Sequence, residues 1–536
     1  MKLPFLHQET KTIATAAFIV GFFSFVSRFI GLVRDRVLAG AFGAGDTLDI
    51  YYTAFKFPDL LMNLFILGAL SASFIPLFTK HISDGKITNN AWKFTNAVLH
   101  FLVIGYVFFA CILFIFAHPL SQLLAPGFAL WKQEQVALFI RILLLAQLLL
   151  GISMVFGSVL QAIKRFHLYA LAPIFYNIGI ILGAIFFTSF FGSIGLVFGV
   201  TFGALLHLIL QYYGVMRAGY RYKPVWHWDV DIQRFFRLMG PRVLSIGLSQ
   251  VNMIIMTFIA SFLPIGSVTI LTFAFNIQFF PLGIVAISYA VAAFPAFCQS
   301  VQKQDLPQVG SIFSHTLRQM LFFLMPATII FLLLRAQIVR VVVGAGLFDW
   351  QATILTADTL AFFTLSFFAQ AIIFIQHRLY FALQDTVTPF VIGIVSTVVN
   401  ILSSFYFIDQ IGVIGFGAAY SLSSILQMIL LWNPLRTRIG SLGGFALLRS
   451  LFIMTSAGLA CAVVIQFLKP VATHIFSLQT FFGVLFQGIF SGGIGIIVYV
   501  FVSWILKSPE LNESLSVLHR RFFRKVKPTE VITPME

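Results

Sequence analysis

Apolar runs long enough to cross a bilayer recur along the whole chain, and that repetition constrains the fold more than any other feature. A hydrocarbon core of about 30 Å needs roughly 20 helical residues, or about 10 residues of strictly alternating strand. Residues 97–117, 174–191 and 481–506 are runs of the first kind, and strict alternation is not seen. In lipid the backbone must satisfy its own polar groups, which leaves helices. Only 10% of residues are charged, against about 25% in soluble domains. The expected fold is therefore an all-α integral membrane protein. Fourteen transmembrane helices are expected near 12–33, 48–78, 94–117, 137–160, 168–190, 193–215, 238–262, 267–297, 316–335, 356–379, 387–408, 412–433, 449–468 and 481–506.

The net charge of +16 could point to nucleic acid, but its distribution points to a membrane. With a cytoplasmic N-terminus, 25 of the 34 basic residues fall in cytoplasmic segments or adjoining span ends. That bias orients the chain with both termini in the cytoplasm. The tail at Arg520–Lys527 reads as solvated or headgroup-binding, and nucleic acid is not expected as a partner. Met1–Lys11 runs into the first apolar stretch without a small-residue cleavage site, so that stretch reads as a retained span. Cys111, Cys298 and Cys461 are far apart, and the histidines form no metal-binding spacing, so free thiols and no metal cofactor are expected.

The chain also repeats weakly. Overlaying spans 2 and 8 with Pro76 opposite Pro295 sets Tyr51–Phe55 against Ile270–Ala274. Gln161–Arg165 leading to Pro173 likewise resembles Phe381–Asp385 leading to Pro389. Two six-helix lobes of the same orientation follow, 1–219 and 243–435, related as in parallel-repeat transporters. A cytoplasmic amphipathic linker, 220–242, carries Trp226 and Trp228 at headgroup depth. A helix pair, 436–506, and a basic tail, 507–536, complete the division.

Charges inside the spans call for an explanation. Span 1 carries Gly21, Ser24, Arg28, Gly31 and Asp35 on one helix face, beside a face of Phe18, Phe22, Phe25 and Phe29. Span 2 carries Asp49, Tyr52, Lys56, Asp59 and Asn63 at the same spacing. An ionisable group near the bilayer centre costs about 2.5–3.5 kcal/mol on insertion scales, so these residues must face one another or water. Pairing of Arg28 with Asp35 or Asp49, or of Lys56 with Asp59, is one solution. Snorkelling of Arg34 and Asp35 from a span end is a second. The alignment of two stripes favours a third, a solvated cavity in which a guanidinium fork suits phosphate. Gly43 and Gly45 break the chain between the two spans, while Pro58 and Pro281 interrupt spans 2 and 8; all four are gate or hinge candidates.

Arg28–Asp35, Phe42–Gly45, Asp49, Ala54–Pro58, Gly68-Ala69-x-Ser71 and Phe74-x-Pro76 closely resemble the signature of the MurJ/MviN lipid II flippases. These belong to the multidrug/oligosaccharidyl-lipid/polysaccharide exporter superfamily. The resemblance continues through Leu124–Phe128, Arg165-Phe166 with Ala172-Pro173, and Tyr380–Pro389. It implies fourteen helices, a V-shaped central cavity, and alternating access that carries a polyprenyl-pyrophosphate glycopeptide across a bacterial inner membrane. It also implies cavity arginines that hold the pyrophosphate and a groove beside spans 13 and 14 for the lipid tail. Arg28, Arg34, Asp35, Asp49 and Lys56 match charged positions of that signature. Met62, Asn63 and Leu67 stand where many relatives carry two arginines and a glutamate, and Phe275-Asn276 where many carry Asp-Arg. Asn63 and Asn276 are kept as cavity candidates. No cation site is carried over, because Ser404, a turn beyond Asn400, lacks a carboxylate.

The leading expectation is thus a flippase for lipid II, acting as a monomer among membrane lipids and driven by membrane potential or a monovalent cation. A flippase for another polyprenyl-linked glycan, or a drug exporter of the same superfamily, is the alternative. ATP hydrolysis lacks a Gly-x-x-x-x-Gly-Lys-Ser/Thr sequence. A glycosyltransferase would need carboxylates on its large outer connections, and 118–136 and 336–355 offer only Glu134 and Asp349.

Overall fold

The computed structural model describes residues 13–67, 70, 74–83, 86–224, 226 and 228–523. The expectations resting on Met1–Lys11, on Gly68, Ala69 and Ser71, and on the basic tail from Arg524 lie outside them. Among the described residues the chain is helical apart from one two-residue hairpin, Ile82–Ser83 paired with Lys86–Ile87. Nine helices are long and apolar enough to cross a membrane among those residues, and a tenth is formed if Trp350–Thr364 and Phe367–Ala382 count as one span bent by 50°.

The helices in order are α1 (Ile13–Phe42), α2 (Asp46–Ala54), α3 (Lys56–Met62), α4 (Ile75–Thr79), α5 (Asn89–Ile115), α6 (Ala117–Leu124), α7 (Leu130–Ala162), α8 (Phe166–Leu182), α9 (Thr188–Phe191), α10 (Ile194–Met216) and α11 (Val230–Ala260). They continue as α12 (Ser267–Ile284), α13 (Ala286–Gln302), α14 (Leu306–Leu333), α15 (Arg335–Val342), α16 (Trp350–Thr364), α17 (Phe367–Ala382) and α18 (Val387–Ile411). The last four are α19 (Gly415–Ile439), α20 (Gly444–Ile475), α21 (Phe481–Ile505) and α22 (Pro509–Phe523). Two compact units emerge: 1–274 with 342–359 and 401–416, and 275–341 with 360–400 and 417–536.

In the first unit, α8 and α10 meet backbone to backbone. A Cβ on Gly179 would lie 2.2 Å from Cα of Gly203, and one on Gly183, the first residue of the π-helical turn that follows α8, 2.4 Å from Cα of Gly199. Lipid tails are as apolar as leucine, so helices gain by close approach rather than by escape from water, and small residues permit it. Hydroxyls within spans are satisfied locally: Thr95, Ser158 and Thr201 each donate to the carbonyl four residues earlier.

Several elements differ from the sequence expectation. Helix α1 runs on to Phe42, so Arg34 and Asp35 sit well inside a helix. The single span expected over 48–78 is broken: α2 stops at Ala54, α3 starts at Lys56, and Asn63–Leu67 is a π-helical turn. Pro58 accounts for the first break, since it has no N–H to give the carbonyl of Ala54. Pro281, by contrast, lies inside α12, which continues to Ile284 before a break at Val285. The expected linker helix and span 7 are one continuous helix, α11, in which Phe235 is fully buried.

In the second unit, α20 and α21 pack as a pair, with Gly495 against Ile465 and Cys461. Part of the segment after them packs on this unit. Helix α22 docks through Glu510, which is 2% exposed and accepts from Ser450 Oγ at 2.6 Å, Ser508 Oγ at 2.8 Å and Arg318 at 3.3 Å.

Candidate functional site

The polar stripe of α1 is built on a helix whose other face meets lipid: Phe22, Phe25 and Phe29 are 52–57% exposed. Arg28 is half-buried and has no hydrogen-bond or ion-pair partner among the described residues. Arg34, less than two turns on, is fully engaged. Its Nε and one terminal nitrogen donate to Asp35 Oδ1 at 3.0 and 2.7 Å, and its other terminal nitrogen donates to Asn177 Oδ1 at 3.0 Å. Asn177 on α8 is itself fixed by donating to the carbonyl of Pro173 at 3.1 Å. Asp35 therefore pairs with its sequence neighbour Arg34 and not with Arg28.

Lys56 and Asp59 sit one turn apart on α3, both half-buried, yet no ion pair joins them among the described residues. Asp59 Oδ1 instead accepts from Gln147 Nε2 of α7 at 2.6 Å. The charges of Arg34, Asp35 and Asp59 all act on the hydroxyl of Tyr51, and Asp59 and Arg34 on that of Tyr176. The structure thus gathers Arg34, Asp35, Lys56 and Asp59 into one electrostatic cluster. Asn63 is half-buried at the start of the π-turn.

Asp49 is placed elsewhere. It is 1% exposed, and its carboxylate accepts from the amides of Gly266 and Thr269 at 2.7 and 2.9 Å and from Thr269 Oγ1 at 2.6 Å. These are the orphan N–H groups at the start of α12, so Asp49 caps a helix and is spent on protein rather than on a cavity. Gly43 and Gly45 belong to the same end of the unit. Gly43 has φ +63°, and a Cβ there would come 2.6 Å from the carbonyl oxygen of Leu347. Gly45 is the extended N-cap residue of α2. Lys132 of α7 pairs with Asp46 at that same N-terminus. Asn276 and the buried Pro281 lie on α12 in the second unit.

Sequence reasoning singled out the charges and missed their neutral partners Asn177, Gln147 and Thr269. A carboxamide within an apolar run is a weaker signal than a charge, but it marks interhelical hydrogen bonding.

The family model described as Lipid II flippase MurJ matches residues 38–487. The chain belongs to the MurJ family. A probable lipid II flippase MurJ of Thermotoga maritima is 28% identical over 501 residues, covering 94% of this chain and 98% of its own. One from Rickettsia prowazekii is 27% identical over 430 residues, covering 79% and 83%. A solved lipid II flippase MurJ in an inward closed conformation superposes with a TM-score of 0.73 at 23% identity, covering 95% of this chain and all of that one. An inward-facing multidrug resistance MATE transporter of the MOP superfamily gives 0.66 at 14% identity, covering 80% and 99%. These last two likenesses establish the fold. Membership of the MurJ family makes the chain a multi-pass membrane transporter rather than an enzyme.

Proposed function

We propose that this chain carries lipid II across the inner membrane by alternating access, supplying cell-wall synthesis. Family membership over most of the chain supports the substrate. The observation that supports a pyrophosphate-binding role is the contrast between the two arginines of α1. Arg34 is held by Asp35 and Asn177, whereas Arg28 is half-buried with no described partner. A guanidinium in that setting keeps its donors for a diphosphate. Lys56 adds charge to the same proposed cavity, and Asn63 and Asn276 add neutral polarity. Asp35 orients Arg34, and Asp49 with Gly43, Gly45, Pro58 and Pro281 shapes the hinges.

The full architecture belongs to the same proposal: fourteen spans, lobes 1–219 and 243–435 around a V-shaped cavity, and the pair 436–506 beside a groove for the lipid tail. Both termini are cytoplasmic, the chain works as a monomer without nucleic acid, and membrane potential or a monovalent cation drives it. The test is replacement of the essential lipid II flippase of a depletable host. Growth is expected with the wild-type chain and not with Arg28→Ala at equal membrane abundance. Loss of growth with a well-inserted wild-type chain would turn the assignment towards another polyprenyl-linked glycan, and full activity of Arg28→Ala would overturn the phosphate role.

A further inference from the structure

We propose that Asp59 is a proton-binding site of the transport cycle and that the Gln147 amide serves both of its charge states. This rests on the flippase reading and names the ion that accompanies it.

Asp59 lies in the broken second span and is not locked as an ion. Lys56 stands three residues earlier, where helical side chains are neighbours, yet the two form no ion pair among the described residues. Among the described residues the carboxyl accepts from Gln147, with Nε2 at 2.6 Å from Oδ1. Gln147 is 2% exposed, and its own Oε1 is buried with no hydrogen-bond partner. An ionised carboxylate only accepts, whereas a carboxylic acid also donates. A half-turn of the Gln147 amide exchanges its N–H for its carbonyl oxygen. The first orientation holds the carboxylate, and the second accepts from the acid and satisfies the orphan oxygen. A leucine at 147 would serve neither state.

The titratable groups around Asp59 are few. Lys56 comes from its own helix, and its charge acts on Asp59. Tyr51 of α2, Tyr106 of α5 and Tyr176 of α8 feel the charge of Asp59. Helix α7 brings the neutral Gln147. Arg34 and Asp35 complete the cluster through the same tyrosines. Its formal charge is zero, with the bases Arg34 and Lys56 balanced by Asp35 and Asp59. On protonation a water-borne proton forms an O–H bond with a carboxylate oxygen of Asp59, and the cluster becomes +1. A diphosphate binds that state better. By linkage, diphosphate binding draws the proton on, and its release lets the proton go.

The experiment uses the full chain in phosphatidylethanolamine–phosphatidylglycerol vesicles with the potential clamped at zero. A cycle that carries one proton shifts lipid II distribution up to about tenfold per pH unit of imposed gradient. The wild type and Asp59→Glu are expected to respond, and whatever flipping Asp59→Asn retains is expected to ignore the gradient. Independently, dicyclohexylcarbodiimide, which couples to protonated carboxyls, is expected to label Asp59 less as pH rises, with the midpoint moved in Gln147→Leu. An intact gradient response in Asp59→Asn, or no labelling of Asp59 from acid to alkaline pH, would overturn the proposal. A wild type that flips no lipid II removes the flippase reading, and the labelling then decides the proton site alone.

Discussion

Replacing Asp49 tests whether this residue is a structural cap. Its carboxylate takes two backbone N–H groups and one hydroxyl at 2.6–2.9 Å in a site 1% exposed. Asp49→Ala leaves the amides of Gly266 and Thr269 buried without an acceptor, at about 1–3 kcal/mol each, so the variant should lose about 2–6 kcal/mol. Asp49→Asn keeps one oxygen for Thr269 but turns an NH₂ towards the amide of Gly266. One donor is then unsatisfied, and the loss should be about 1–3 kcal/mol. Thr269→Val removes only the hydroxyl and should cost about 1 kcal/mol. Thermal unfolding of purified protein in detergent should therefore rank wild type, Thr269→Val, Asp49→Asn and Asp49→Ala in falling order. Combining Asp49→Ala with Thr269→Val should cost less than the sum of the two, because they share a bond. Additive losses, or Asp49→Ala melting with the wild type, would refute the cap.

Arg34→Lys should lose about 1–2 kcal/mol, because a single ammonium cannot reproduce the fork that reaches Asp35 and Asn177 together, and melting temperature reads this directly. Asp385, in the loop before α18, is pushed up by burial but pulled further down by the Thr388 hydroxyl and amide and by Arg438, so its carboxyl sits below the usual range. Its stabilisation is then complete above about pH 4 and is lost as pH falls through the lower folded value. Asp385→Asn should accordingly be about 1 kcal/mol less stable at neutral pH, through the lost N-cap bond and ion pair, and should converge with the wild type only in acid. Glu510→Gln should weaken the docking of α22 by about 1–3 kcal/mol through the charge it removes from Arg318, and limited proteolysis should cut that helix faster.

The helical membrane fold could be read from the apolar runs, because lipid leaves the backbone so little choice. The polar faces of α1 and span 2 were equally legible, since a charge in a span is rare and periodicity places it on a face. Partners were not. Arg28 and Arg34 look alike in sequence, and the bonds to Asp35 and to Asn177 from α8 make the second engaged while the first stays available. Asp49 reads as a cavity charge from its spacing with Lys56, but the start of α12, more than 200 residues away, claims it. The docking of α22 was hidden because its polar and charged residues point to solvent, while one buried glutamate decides its position.

The bare contact between α8 and α10 carries a mechanical consequence. Where Gly179 faces Gly203 and Gly183 faces Gly199, no side chain lies between the two backbones to rearrange. Such a seam cannot slip by rotamer changes, so the two helices must travel as one stiff strut in any motion of the molecule. Bending is then left to elements whose hydrogen-bond ladders are already interrupted, such as the Pro58 break with its π-turn and the turn at Val285 between α12 and α13. Cross-linking α8 to α10 should leave transport intact, whereas bracing α2 to α3 should stop it.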